Sequence, residues 1–359
     1  MVLMALDHTR DYFSSSRVSP VDLEHTWPAL FLTRWITHIC APVFVLLAGT
    51  GAFLATTRGK STRELSRFLL TRGLWLVLLE LTFVNWFGWR FEITLNSYGV
   101  QVIWAIGCSM IALAGLVWLP RRVIMAFGLV MIALHNAFDG VRPESFGFWP
   151  DLWRVLHTGG GFEIVPGLHF FAGYPLIPWI GVMAAGYAFG PVLLREAPAR
   201  RRWLLTAGAG LTALFFLVRA LNLYGDPEPW AAQRNLLFTL FSFLNCSKYP
   251  PSLCFLLMTL GPALLLLALF DRGTPRWLRP LLVFGRAPLL FYLLHLPLIH
   301  GLALLVNALR YHGTPPPDAG FSLAGVWLLW PLIVLLLYPV CRRFAEFKRT
   351  HRQVWLSYL

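Results

Sequence analysis

The 359-residue chain is 57% hydrophobic and only 13% charged, yet it carries a formal net charge of +13. That balance excludes an ordinary soluble domain, in which about a quarter of the residues are charged. No DNA- or RNA-binding motif accompanies the basic surplus, so it is read as membrane topology and no nucleic-acid partner is expected.

Residues 1–13, MVLMALDHTRDYF, read as the outward end of a membrane helix. As a helix they rise only about 20 Å, short of a hydrocarbon core of about 30 Å, so the first helix is expected to lack its inner half. Nine full spans follow, near 36–56, 67–87, 98–118, 121–138, 174–194, 203–221, 250–270, 286–307 and 321–341. The expected fold is all-α, a polytopic bundle of about ten transmembrane helices forming one domain over residues 1–359. Within the 139–173 loop, Asp151 to His157 are expected to make one or two turns of interfacial helix, ended by the glycines that follow. Trp27, Trp35, Trp86, Trp89, Trp149 and Trp153 read as an aromatic belt.

The loops give the orientation. Segments 57–72, 119–122, 195–202, 271–286 and 342–352 hold 20 of the 30 Lys and Arg residues, whereas the alternate loops hold eight. Basic residues collect on the cytoplasmic side, so the first set faces inward. Eight of the ten histidines then lie outward: His8, His25, His38, His135, His157, His169, His300 and His312. Imidazole titrates near neutrality, which places proton chemistry at the outward end of the bundle. Cys40, Cys108, Cys246, Cys254 and Cys341 form no CxxC pair or zinc spacing; they read as packing residues, although Cys246 and Cys254 could both sit outward, where a disulfide is permitted. No metal or prosthetic group is expected.

Three stretches concentrate polar groups within apolar sequence. In Asp7-His8-Thr9-Arg10-Asp11-Tyr12, acids one turn apart flank a histidine and an arginine. Such groups in a membrane helix usually face a bundle interior or a cavity, and a carboxylate beside a histidine can fix its tautomer. Asp7 is the expected partner of His8. Arg34 and His38 are at i and i+4, on one face, with Pro42 just beyond. In GRAPLLFYLLHLPLIH, counting from Arg286 places His295 near the bilayer midplane and His300 in the outer third, with Tyr292 one turn from His295. Lys248, in NCSKYPPS, is a cation where positive charge is otherwise sparse. It could bind an anionic group or simply snorkel. Glu80 is a lone acid within a span, without a partner legible in the sequence.

The order MALDHTRDYF, THICAPVFVLLAGTGAF, NCSKYPPSL and GRAPLLFYLLHLPLIH resembles the bacterial branch of the heparan-alpha-glucosaminide N-acetyltransferase catalytic domain family. The resemblance implies an integral-membrane enzyme that takes an acyl group, typically acetyl, from cytosolic acyl-CoA and delivers it to an extracytoplasmic sugar or cell-envelope acceptor. It implies a histidine in the first outward region, here His8 or His25. The expected catalytic set is therefore His8, Asp7, His38, His25 and His295, with histidine as general base or transient acyl carrier. Arg10, Arg34, Lys248, Tyr292 and His300 are expected to bind substrate. Arg286, Arg200, Arg201 and Arg202 are expected to hold the acyl-CoA phosphates at the inner face. The implied setting is the bacterial inner membrane, with the site toward the periplasm; homo-oligomerisation is left open. A proton-coupled transporter using the Asp/His cluster as a relay is the competing reading, and a haem-binding electron carrier a third.

Overall fold

The computed structural model describes residues 1–147, 149–312, 315–316, 318–351 and 353–358. In chain order its helices are α1 (Val2–Phe13), α2 (Pro28–Thr37), α3 (Cys40–Thr56), α4 (Thr62–Leu79), α5 (Val102–Leu116), α6 (Arg121–Leu134), α7 (Pro150–Trp153) and α8 (Leu176–Phe189). There follow α9 (Ala197–Leu221), α10 (Leu236–Leu244), α11 (Leu253–Phe270), α12 (Leu282–Arg286), α13 (Pro288–Tyr311) and α14 (Leu323–Thr350). Eight helical stretches are long and apolar enough to cross a membrane, and α5 is a shorter apolar helix of 15 residues. Each of the nine predicted spans thus has its helix, and α1 supplies the partial one.

Two features depart from the hydropathy pattern. Beyond α4 the chain continues as an 11-residue π-helix, Glu80–Arg90, before Phe91 turns it with a positive φ of 52°. The wider i→i+5 winding shifts side chains and carbonyls out of the α-register, a feature found frequently at functional sites. The second departure is a small sheet of order β1-β3-β2, built from β1 (Ser97–Val100), β2 (Gly160–Val165) and β3 (Leu168–Ala172). β1 pairs in parallel with β3, and β2 pairs with β3 antiparallel. Residues 97–100, assigned by hydropathy to the span 98–118, are therefore strand, and the helix begins at Val102. A short apolar run does not distinguish strand from helix; its distant partner strand decides. The predicted interfacial turns are present as α7 and a π-turn, Arg154–Thr158, closed by Gly159 at φ 71°.

The chain divides into two compact units. Unit 1 comprises Met1–Cys40, Thr82–Ile93 and Thr274–Leu359. Here α1 packs against α2, α13 and α14. Main chain joins the end of α1 to the start of α14: Phe321 N–H donates to Phe13 O at 2.7 Å, and Ser15 N–H donates to Phe321 O at 2.9 Å. Gly320 lies against this join with φ +143°, and a Cβ there would stand 2.6 Å from Ser15 N. Indole N–H groups tie other points, Trp330 to Val2 O at 2.8 Å and Trp327 to Thr33 Oγ1 at 3.1 Å.

Unit 2 comprises Ala41–Leu81 and Thr94–Gly273. Its helices cross at glycines. A Cβ on Gly49 of α3 would stand 2.1 Å from Met183 O of α8, and one on Gly186 of α8 would stand 2.2 Å from Leu46 O. Only glycine lets the two backbones touch, which is how membrane helices gain contact without a hydrophobic driving force. Gly73 meets Gly107, Gly128 meets Gly181 and Gly208 meets Gly261 in the same way. Glu80, which the sequence left unpaired, is fully buried and accepts the Gln101 N–H at 3.1 Å. A carboxylate there satisfies an orphan donor and complements the positive end of α5.

Candidate active site

On α1, Thr9, Asp7 at 8% exposure and Arg10 at 7% are buried, His8 and Tyr12 are half-buried and Asp11 is exposed. Charged groups survive burial when paired, and these are. Arg10 Nη2 lies 3.1 Å from Asp7 Oδ1 and 2.5 Å from Asp11 Oδ1, and Arg34 of α2 donates from Nη1 to Asp7 Oδ2. Two carboxylates and two guanidiniums balance, so the cluster is neutral when His8 is neutral.

His8 Nδ1 sits 3.6 Å from Asp11 Oδ2. Asp7, expected to orient His8, instead faces the two arginines. Adjacent helical residues point about 100° apart, whereas i and i+3 share a face, and this selects Asp11. Around the His8 ring stand Trp89 of the π-helix, edge-on at 5.4 Å between centroids, and His295 of α13 at 5.2 Å. His295 is fully buried. Its Nδ1 lies 2.6 Å from Tyr292 O and 3.1 Å from Phe291 O. Carbonyl oxygens only accept, so Nδ1 carries the proton and Nε2 presents its lone pair. Stacked on Phe291, the ring is fixed in orientation as well as tautomer.

Further along the same helices, His300 is sandwiched between Phe91 at 4.5 Å and Tyr12 at 4.7 Å. His300 Nδ1 and Tyr12 OH both reach Gly88 O, at 3.2 and 3.1 Å, a carbonyl on the π-helix. Trp89, Gly88 and Phe91 are the residues that sequence reasoning missed. Trp89 reads as one more belt tryptophan, and nothing in residues 80–90 announces π winding.

Around His8 several buried polar atoms lack a hydrogen-bond partner among the described residues. Beside His8 Nδ1, which stops 3.6 Å from Asp11, they include Trp89 Nε1 and Arg10 Nη1, both donors, and His295 Nε2, an acceptor. Native interiors leave few such atoms, and those left mark places where water or a ligand completes the set.

The remaining expected residues are placed less centrally. His38 is buried at the break between α2 and α3, where its backbone N–H bonds Trp35 O. Tyr292 is buried beside His295, with ring centroids 5.5 Å apart. His25 is exposed and pairs with Asp22 at 2.8 Å; this hydrogen bond holds the Asp22 carboxyl below its usual range. Arg286 is exposed at the end of α12. In unit 2, Arg200 is bound to Asp271 at 2.7 Å and to the carbonyls of Leu193 and Arg195, a structural tie. Arg201 and Arg202 follow it on α9. Lys248 also belongs to unit 2, between α10 and α11.

The eight histidines expected to face outward include pairs of their own away from His8. His135 and His157 meet in unit 2 with ring centroids 5.9 Å apart, and His157 Nε2 lies 3.2 Å from Asp139 Oδ1. His169 pairs with Glu163 on the sheet. Among the described residues no group of three or more His, Cys, Asp or Glu is placed to hold a metal ion. Cys246 and Cys254 are buried free thiols, and burial pushes the Cys246 thiol well above its usual range.

Residues 1–224 match the family model described as heparan-alpha-glucosaminide N-acetyltransferase, catalytic. No curated protein matches the chain.

Proposed function

We propose a reaction for this protein on the premise that it belongs to the heparan-alpha-glucosaminide N-acetyltransferase catalytic family, as the match over more than half of its length establishes. The protein transfers an acetyl group from cytosolic acetyl-CoA to an amine or hydroxyl of an extracytoplasmic sugar or envelope glycan, working in a bacterial inner membrane. The observation that supports this reading is the set of unpartnered buried atoms around His8: two donors and one acceptor gathered beside an imidazole.

In this reading Asp11 orients His8, whose far nitrogen takes the proton from the acceptor heteroatom as that atom attacks the thioester carbonyl. The carbonyl oxygen gains negative charge, for which Trp89 Nε1 and Arg10 Nη1 are the available donors. When the C–S bond breaks, the thiolate leaves with the proton held by His8, giving coenzyme A and the acetylated acceptor. His295, its tautomer fixed by the carbonyls of Phe291 and Tyr292, packs against the His8 ring and holds it in place. Arg34 pairs with Asp7 and so ties α1 to α2. Arg286, exposed and on the same unit as His8, would meet the donor's phosphates; Arg200 is already engaged by Asp271.

Purified protein in detergent, incubated with radiolabelled acetyl-CoA and extracted envelope material, should label an acceptor. His8→Ala should lower the rate by about a hundredfold to ten-thousandfold. His38→Ala tests the second histidine in the same assay. Wild-type turnover in both variants would reject the assignment. Label retained on the protein with donor alone would mean that histidine carries the acyl group covalently. Uptake into vesicles driven by a pH gradient without acetyl-CoA would point to a transporter instead.

A further inference from the structure

Unit 2 contains a construction that acetyl transfer at His8 does not use. Arg219, near the end of α9 and 2% exposed, donates to the carbonyls of Glu228 at 2.8 Å, Ser242 at 3.1 Å, Phe243 at 3.0 Å and Asn245 at 3.0 Å. It also lies 3.6 Å from Asp226 Oδ1. Asp226 Oδ2 in turn accepts from Ser247 N–H at 3.1 Å and Ser252 Oγ–H at 2.6 Å. Between those two serines runs Lys248-Tyr249-Pro250-Pro251. The loop is closed on itself by Ser252 N–H on Ser247 O at 3.0 Å, Ser247 Oγ–H on Pro250 O at 3.2 Å and a bridge between Lys248 and Pro251. Its far end is pinned again where Leu253 N–H meets Asn136 Oδ1 at 2.9 Å.

What this frame presents is one ammonium. Lys248 Nζ stands 5.1 Å from the Tyr249 ring centroid and 5.8 Å from that of Tyr174, and the two rings meet edge to face at 5.3 Å. Among the described residues Nζ has no carboxylate or other polar partner. Asp226, the carboxylate of this loop system, is already engaged by Arg219 and the serines. The choice of residue is also pointed. The chain has 27 arginines and three lysines, and Lys60 and Lys348 lie in the arginine-rich segments. An arginine here would lay its planar group on a tyrosine; a lysine keeps three compact donors directed outward.

We propose that Lys248, held between Tyr174 and Tyr249, is the binding point for a single oxyanion, a phosphate or a carboxylate, carried on a nucleotide or sugar. Rigid presentation removes the ordering cost that a free surface lysine would bear. The partly exposed Tyr249 ring offers a face to the body of the ligand. This assignment does not rest on the acetyl-transfer reading. The anion could come from a nucleotide phosphate or from an acidic sugar, and the chemistry at Nζ is the same.

Titration of the full-length protein in detergent, followed by isothermal calorimetry, tests it with four probes: coenzyme A, adenosine 3′,5′-bisphosphate, a glucuronate-terminated disaccharide and the methyl ester of that disaccharide. At least one anionic probe should bind, and Lys248→Met should weaken it by about tenfold or more, the scale of a charge-assisted hydrogen bond. Lys248→Arg should recover part of that loss, and the ester should be indifferent to both changes. A loss confined to the nucleotide probes identifies the phosphate source; one confined to the glucuronate probe identifies the acidic sugar. Failure of wild type to bind any anionic probe, or equal binding by Lys248→Met, overturns the proposal. Reductive labelling of wild type with pyridoxal 5′-phosphate gives a second reading that needs no variant. The bound anion should protect Lys248 and leave Lys60 and Lys348 unprotected, and equal labelling of Lys248 with and without it also overturns the proposal. His8→Ala should leave all of this binding unchanged, so the two readings fail separately.

Discussion

Unit 1 and unit 2 solve the same problem, holding helices together in an apolar setting, by opposite means. Unit 2 removes side chains from its crossings, so that Gly49, Gly186 and their counterparts let backbones touch. Unit 1 puts charge into its crossings: Asp7 and Asp11 balance Arg10 and Arg34, while Trp89 and His295 keep polar atoms unpartnered. Glycine contacts give shape without chemistry. Buried ionic and polar contacts are costly to form and weak evidence of stability, so their presence points to a reaction or a ligand. The contrast is the reason the reaction is proposed at the charged crossings around His8 and not at the glycine crossings.

The sharpest way to break this contrast is Trp89→Phe. An aromatic ring is kept while the five-membered ring with its N–H is lost, so the acetyl-transfer rate should fall by about a hundredfold, as on removing an oxyanion donor. The melting temperature should stay close to wild type. A large fall in melting temperature with normal kcat in the surviving fraction would make Trp89 a packing residue and erase the distinction.

Next in size is Gly186→Val in unit 2. Its Cβ would fall within the backbone of α3, and overpacking of this kind costs about 1–3 kcal/mol or more. Thermal denaturation followed by tryptophan fluorescence should show the loss, whereas kcat per folded molecule should hold. A change in kcat without a change in melting would mean that the crossing serves the reaction.

The smallest effect sharpens the comparison at an exception, the buried Arg219–Asp226 construction of unit 2. Burial holds the Asp226 carboxyl above its usual range. A raised folded value means that this group's contribution to stability is complete below the unfolded carboxylate value of about 3.9 and declines as pH rises through the folded one. The melting advantage of wild type over Asp226→Asn should therefore shrink between pH 4 and pH 7. A constant difference would place the Asp226 titration outside the folding equilibrium.

Much of this arrangement is legible in the sequence because it follows from short-range geometry. The i, i+3 and i, i+4 spacings along residues 7–12 put acids, His8 and Arg10 within reach of one another, and counting from Arg286 brings His295 to buried depth. The nine apolar runs each become a helix for the same reason. What could not be read depends on long-range or irregular backbone. The parallel pairing of 97–100 with 169–172 needs a partner some seventy residues away. The π winding of 80–90, which carries Gly88 and Trp89 to Tyr12, His300 and His8, leaves no periodic trace in eleven residues. Adjacency in sequence also misled in one place: Asp7 is next to His8 along the chain, but Asp11 is next to it in space.

The join between Phe13–Ser15 and Gly320–Phe321 is carried by main-chain amides, which every residue except proline supplies, with one side-chain addition where Ser15 Oγ–H also donates to Phe321 O at 3.1 Å. Most other residues at Ser15 would give up that single side-chain bond and still keep the alignment of the rod that bears His8. Gly320 is the one spot on that seam where no other letter fits, so a saturation library there should be almost silent in functional clones while its neighbours remain diverse.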